Sequence, residues 1–281
     1  MKSALLITLL SLSALAAPNK GQLTDGLSSK RKAKSTPSAL FEGIVKLSNC
    51  SGSLIILEGQ PKSDLGIVMT NGHCIQKPGG FLAPGEVWVN VPKVRALRVY
   101  DANMQLKNLR TTKILYATMT STDLALYQVD MTYAEILSRY NVRPLLLSDT
   151  RPLEGIAINI PSGYWDRNWS CQIDGFVHRL LEGGWTFDDS VRYDAACATI
   201  GGTSGSPIVE AGTRTVVAIN NTGNNDGERC TMNNPCEVDR YGNVTVRHTR
   251  SYGQQTYQMY GCFDAAFKLD VALSSCTLPK P

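Results

Sequence analysis

From Phe41 onward the sequence is cut every few residues by Gly, Pro, Asn or Asp, and the intervals between the cuts are short β-rich runs. Gly43–Leu47, Ser53–Leu57, Gly66–Thr70, Val87–Val91, Ala96–Tyr100, Leu124–Val129, Gly155–Ile160, Ile173–Val177, Pro207–Val209, Thr215–Asn220 and Asn243–His248 are of this kind. Such punctuation leaves no room for long helices between strands, which excludes a parallel α/β sheet. Many short strands must instead close on one another as an all-β barrel or sandwich. Two stretches have helical spacing: Tyr133–Tyr140, which would connect two halves, and Cys262–Leu273, where Phe263, Ala266, Phe267, Val271 and Leu273 share a face. With 281 residues, 43% hydrophobic and 19% charged, the chain is long enough to bury a large core and too apolar to be disordered.

The N-terminus is of another kind. Met1-Lys2-Ser3, the apolar run Ala4–Ala14 and the small residues of Ala14-Leu15-Ala16 follow the order of a secretory signal peptide. Cleavage is placed after Ala16, because cutting one residue later would put Pro18 first. The run is too short to cross a bilayer core of about 30 Å, and no later segment is apolar for long enough, so no membrane span is expected. Residues 17–40 are rich in Lys, Ser, Gly and Pro around Ser28-Ser29-Lys30-Arg31-Lys32-Ala33-Lys34. They read either as a leader or pro-segment with a protease-sensitive basic cluster, or as an uncleaved solvated tail. The formal charge of +4 resides there: residues 1–40 hold six basic residues against one acidic, and residues 41–281 hold 22 against 23. A nearly neutral body excludes a basic nucleic-acid-binding face.

Export, to a secreted or periplasmic location, changes the meaning of the cysteines. Cys50, Cys74, Cys171, Cys197, Cys230, Cys236, Cys262 and Cys276 form an even set in an oxidising compartment, which reads as four disulfides. None stands in the paired spacing of a zinc site.

The three histidines are separable by context. His178 and His248 lie in alternating runs and read as structural or solvent-facing. His73 follows the apolar run Gly66–Thr70 and Asn71-Gly72, and precedes Cys74. Cys50-Ser51-Gly52-Ser53-Leu54-Ile55, Met69-Thr70-Asn71-Gly72-His73-Cys74, Thr122-Asp123-Leu124-Ala125-Leu126 and Gly201-Gly202-Thr203-Ser204-Gly205-Ser206-Pro207 occur in that order. Together these segments resemble the four signatures of the chymotrypsin-like (trypsin-fold) serine proteases, over residues 50–207.

A serine hydroxyl is a weak nucleophile near neutral pH; it needs a base in hydrogen-bond reach, and the base needs a third group to hold its tautomer. The resemblance implies Ser204 as nucleophile, His73 as general base and then acid, Asp123 as the carboxylate orienting His73, and the N–H groups of Gly202 and Ser204 as the oxyanion hole. It further implies two six-stranded antiparallel β-barrels with the catalytic cleft between them. The first would occupy residues 41–132, the connection 133–148 and the second barrel, with a short C-terminal helix, 149–281. The substrate would be a polypeptide, the protein a monomer, and no metal or organic cofactor would be needed. Cys50 and Cys74 sit where the family bridges its histidine loop, a closure worth about 3 kcal/mol on the chain-entropy model. Local bridges Cys230–Cys236 and Cys262–Cys276 would leave Cys171–Cys197, with Cys197–Cys230 as the competing pairing. An α/β-hydrolase is excluded, since Ser206 stands where its motif needs glycine and the triad order is reversed.

The departures are informative. Trypsins have aspartate before the nucleophile, paired with the freed N-terminus; here it is Thr203, so that activation switch is not implied. The serine motif is similar to that of secreted bacterial proteases related to the glutamyl endopeptidases. By distance from Ser204, the specificity pocket is expected between Ala198 and Thr199 on one side and Asn220, Asn221, Thr222 and Gly223 on the other. It has neither an acidic base nor the histidine of glutamyl-specific enzymes, which predicts a neutral, partly polar pocket. Asn224-Asn225-Asp226 has calcium-binding residue types, although an exposed turn is their commoner use. A catalytically inactive binding protein on the same fold is the competing reading; it draws on Thr203 and the atypical pocket and is opposed by the complete triad.

Overall fold

The computed structural model describes residues 40–281; the expected signal peptide and all of the leader but Leu40 lie outside the described residues. Strands β1 (Ile44–Lys46), β2 (Ser51–Ile56), β3 (Leu65–Thr70), β4 (Val87–Pro92), β5 (Ala96–Tyr100), β6 (Leu106–Thr118) and β7 (Leu124–Thr132) come first. Six of them close a ring, each pair antiparallel, in the order β1-β2-β3-β7-β6-β5 and back to β1. Strand β4 is added to the outside of β6. Helix α1 (Tyr133–Tyr140) follows at the position its spacing predicts. Thr132 and Glu135 cap its N-terminus reciprocally, and Asn141 ends it in the left-handed conformation.

After β8 (Leu145–Leu147) the second set begins: β9 (Ala157–Ser162), β10 (Arg167–Glu182), β11 (Trp185–Tyr193), β12 (Pro207–Glu210), β13 (Thr215–Gly223), β14 (Cys236–Val238), β15 (Val244–Val246) and β16 (Ser251–Gln255). Here β9-β10-β11-β16-β13-β12 and back to β9 form a second closed antiparallel ring. The short β8 pairs in parallel with both β2 and β13 and joins the two rings. Closure leaves a ring without an exposed edge, and each buries its inward-facing side chains. Leu54, Val68, Val99, Ile114 and Tyr127 belong to the core of the first, and Ile158, Ile160, Ile173, Val191 and Ile208 to that of the second. A third cluster joins Ile55, Met69 and Leu126 to Val209, Val216 and Ile219 and holds the rings together.

The helical pattern over Cys262–Leu273 does not form a helix. A 3-10 turn runs from Tyr257 to Cys262, and the chain then makes successive turns. The cause is local: Asp264 accepts the N–H groups of Ala266 and Lys268, and Asp270 that of Ala272, so side chains take the donors a helix would use. The disulfides are Cys50–Cys74, Cys171–Cys197, Cys230–Cys236 and Cys262–Cys276, so the competing Cys197–Cys230 pairing does not occur.

Candidate active site

Strands β3 and β7 pair with Thr70 opposite Ala125, so the chain leaving β3 runs beside the chain entering β7. That register brings His73, on a 3-10 turn over Gly72–Cys74, to Asp123. The Asn71 side chain donates to the Asp123 carbonyl at 2.8 Å. Gly72 is required by close approach, because a Cβ there would lie 2.1 Å from the Thr118 carbonyl oxygen. The buried Asp123 carboxylate then accepts twice from His73: Oδ1 from the backbone N–H at 3.1 Å, and Oδ2 from Nδ1 at 2.6 Å. A carboxylate facing Nδ1 places the ring proton there and leaves Nε2 as the basic nitrogen. Burial pulls the His73 pKa down, but the charge and hydrogen bond of Asp123, with a smaller contribution from Glu182, outweigh it and hold the ring above its ordinary value.

Ser204 comes from the second ring, in the turn between β11 and β12. Its loop is held by backbone and by one residue of the first ring: Ser51 N–H donates to the Ser204 carbonyl at 2.8 Å and Ser51 Oγ to the Gly202 carbonyl at 3.2 Å, while Gly205 N–H donates to the Asn220 carbonyl at 2.9 Å. Ser51 adjoins Cys50 and His73 adjoins Cys74, so one disulfide ties both His73 and the serine loop to the same place. The Ser204 hydroxyl donates to the Asn221 carbonyl at 3.2 Å rather than to His73. Gly202 has φ +89°, and among the described residues nothing accepts a hydrogen bond from the N–H of Gly202 or Ser204. Thr203 is buried and closes the loop through Ile200, its N–H donating to the Ile200 carbonyl at 3.0 Å and its Oγ1 accepting the Ile200 N–H at 3.3 Å. Among the described residues no acidic side chain bonds Thr203.

His73, Asp123 and Ser204 line one cavity, together with Thr199–Gly201 and Asn220–Gly223. Of the expected pocket residues, Thr199, Asn220, Asn221, Thr222 and Gly223 line this cavity, while Ala198 is exposed and outside the lining. His178 and His248 are exposed and outside the lining, although the His248 ring lies 3.1 Å from the carbonyl of the lining residue Asn225. The Asn224 side chain is used within its own turn, accepting from Gly227 N–H and donating to the Glu228 and Pro235 carbonyls. The group Cys50, His73 and Cys74 has metal-like spacing, but its sulfurs are joined to each other and offer no thiolate.

The sequence did not reveal the rest of the wall. The β10–β11 hairpin projects from the second ring to the first, where Trp185 Nε1 donates to the Leu82 carbonyl at 2.9 Å. Phe81 stands edge-on between His73 and Trp185, with ring centroids 6.0 and 5.9 Å apart. Phe81, Met119, Glu182, Trp185 and Phe187 all line the cavity. One signal was available: Gly183-Gly184 between two alternating runs is a two-residue hairpin turn.

The family model for the trypsin-like peptidase domain matches residues 50–219, a span that holds all of these motifs. The chain belongs to that family. This trypsin-like peptidase is similar in structure to the MamO protease domain from Magnetospirillum magneticum, at 13% identity and a TM-score of 0.47, over 77% of this chain and 93% of that one. It is similar also to the active form of the Rv3671c protease from M. tuberculosis, at 15% identity and TM-score 0.47, over 96% and 97% of the two chains. The Nocardiopsis protease NAPase aligns at 15% identity and TM-score 0.45, over 77% and 92%. No curated protein sequence matches the peptidase. Among its described residues no helix is long and apolar enough to cross a membrane.

Proposed function

We propose that this trypsin-like peptidase is an exported serine endopeptidase that cleaves polypeptides through an acyl-enzyme, with Ser204 as nucleophile, His73 as base and Asp123 as the group that orients it. The observation that carries this reading is the double contact of Asp123 with His73 on the cavity that also holds Ser204. Rotation of the Ser204 side chain off the Asn221 carbonyl lets Nε2 of His73 take the hydroxyl proton as Oγ attacks the substrate carbonyl carbon. The carbonyl oxygen, becoming negative, meets the unengaged N–H groups of Gly202 and Ser204. His73 then gives its proton to the departing amine, and water repeats the sequence to release the acid. Export rests on the Met1–Ala16 pattern and the four disulfides.

The same geometry gives substrate a docking edge. Pairing of β12 with β13 ends near Asn220, whereas Thr222 and Gly223 remain paired with β16 on the other side. Asn221–Gly223 therefore present an open strand edge, to which an extended peptide adds antiparallel. Because Ser204 Oγ sits at the Asn221 carbonyl, the residue whose carbonyl is attacked lies opposite Asn221. Its side chain enters beside Thr199, whose N–H bonds Ser251 Oγ and whose Oγ1 bonds Asn220 Oδ1. These neutral polar groups favour a neutral side chain over Lys, Arg or Glu.

A serine-directed fluorophosphonate should modify the processed, oxidised protein, and peptide mapping should place the adduct on Ser204. An unmodified Ser204 in folded protein would return the chain to the class of inactive binding proteins on this fold. A second expectation concerns the oxyanion loop. Gly202→Ala forces a side chain onto a backbone with φ +89° and brings its Cβ within 2.7 Å of the Tyr164 ring. Displacing one donor N–H should lower kcat about 10²–10³-fold with a small change in KM, checked by steady-state kinetics.

A further inference from the structure

Five carboxylates are buried among the described residues: Glu42, Asp101, Asp123, Glu182 and Glu237. Glu42 is held by Arg143 and Arg214, Asp101 by Lys107, Asp123 by His73, and Glu237 by Arg192 and Arg247. Glu182 is the exception. It is 7% exposed, yet it makes no ion pair with a described residue. Its Oε1 accepts from Thr222 Oγ1 at 2.8 Å and from Asn233 N–H at 2.8 Å, while Oε2 accepts from no described residue. Burial pushes its pKa up, and the nearby Asp123 pushes the same way; His73, Thr222 and Asn233 act against them. A carboxylate withdrawn from water without a counter-ion is costly to fold around, and a cationic ligand group placed against it would supply the missing charge.

The position of Glu182 says which ligand group. It lines the catalytic cavity at the end of β10, where the hairpin crosses to the first ring. In an antiparallel pair, residues directly opposite project to the same side. With the attacked residue opposite Asn221, the residue just before it, P2, lies opposite Thr222, and its side chain projects on the side of the Thr222 side chain, which is bonded to Glu182. Met119, Phe187 and Trp185 line the same cavity and offer apolar surface for an aliphatic stem. We propose that Glu182 makes the cleft select a cationic side chain, Lys or Arg, at the position immediately N-terminal to the residue whose bond is cut. This rests on the protease reading above and names the substrate class for that site. An uncharged P2 residue would cover Oε2 without pairing it, so discrimination comes from a carboxylate oxygen left unpaired under the bound peptide as well as from the bond gained.

The test uses peptides with a constant neutral P1 residue and Lys, Nε-acetyl-lysine or Met at P2, with kcat/KM measured for the wild type, Glu182→Gln and Glu182→Asp. The wild type should prefer Lys over both neutral residues by tenfold or more. Glu182→Gln should bring the ratio to about one while fluorophosphonate still labels Ser204, and Glu182→Asp should keep a preference for Lys. Equal wild-type rates on the three peptides, or a Lys preference that survives in Glu182→Gln, overturns the assignment of Glu182 and leaves the protease reading standing. Failure of the wild type to label or to cleave overturns both. Should Glu182→Gln not fold, the wild-type series and Glu182→Asp decide: no preference for Lys in the wild type, or none in a folded Glu182→Asp, counts against the proposal.

Discussion

Ser204→Ala should lower kcat by about 10⁶-fold and leave both rings folded. On the proposed mechanism the size of the loss follows from chemistry: without Oγ there is no acyl-enzyme, and what survives is whatever water attack the oxyanion donors and bound geometry support. The preservation of fold follows from the loop. The Ser204 hydroxyl makes a single hydrogen bond, to the Asn221 carbonyl, whereas the turn is held through the Ser204, Gly202 and Asn220 carbonyls, none of which the substitution touches. Thermal unfolding of the variant should match the wild type. His73→Ala should cost about as much, and the double variant no more than either single one, since nucleophile and base act as a unit. A loss below a hundredfold in Ser204→Ala would remove that hydroxyl from the reaction. Additive losses in the double variant would separate it from His73.

How much of this was legible in the sequence depended on the range of the interactions involved. His73 and Asp123 are brought together by a register between two strands whose apolar runs are plain, and α1 announces itself through Thr132 and Glu135 only three residues apart. Strand β6 was not legible, because Leu106–Arg110 is a mostly polar stretch with Leu109 its one buried residue, and Lys107, Asn108 and Arg110 read as loop. Strand β11 was hidden by Asp188 and Asp189, turn residues by type. Here Asp188 is exposed and Asp189 half-buried on a strand, where Asp189 pairs with Arg151 and Asp188 with Arg179. Glu182 followed from neither. Its burial is created by the reach of a hairpin across to Leu82, a contact 103 residues apart that no local pattern encodes. The failed C-terminal helix shows the opposite error: an apolar spacing of helical period was outweighed by two aspartates that capture the backbone donors.

Asp123→Asn should lower kcat on the order of 10⁴-fold and, separately, move the acid limb of activity. As a carboxylate, Asp123 accepts from the His73 backbone N–H and from Nδ1. An amide in its place has one accepting atom, and when that atom serves the backbone N–H its NH₂ group faces Nδ1. The ring then carries its proton on Nε2, the nitrogen that receives the Ser204 proton in the proposed mechanism, and the base is blocked. The pH effect has its own sign. On the proposed mechanism His73 acts as a base only when neutral, and its pKa lies above the ordinary 6.5 because Asp123 outweighs the burial that pulls it down. Activity of the wild type should therefore fall, as pH drops, through an apparent pKa above that value. Removing the negative charge leaves burial as the larger influence, with Glu182 too weak to offset it, so His73 titrates lower and the limb moves to lower pH. Profiles of kcat/KM from about pH 5 to 9 report the free enzyme and should show both changes together, a lower plateau and an acid limb displaced downward. A lowered plateau with an unmoved limb would mean that the group titrating there is not His73, and the assignment of the base would fall with it.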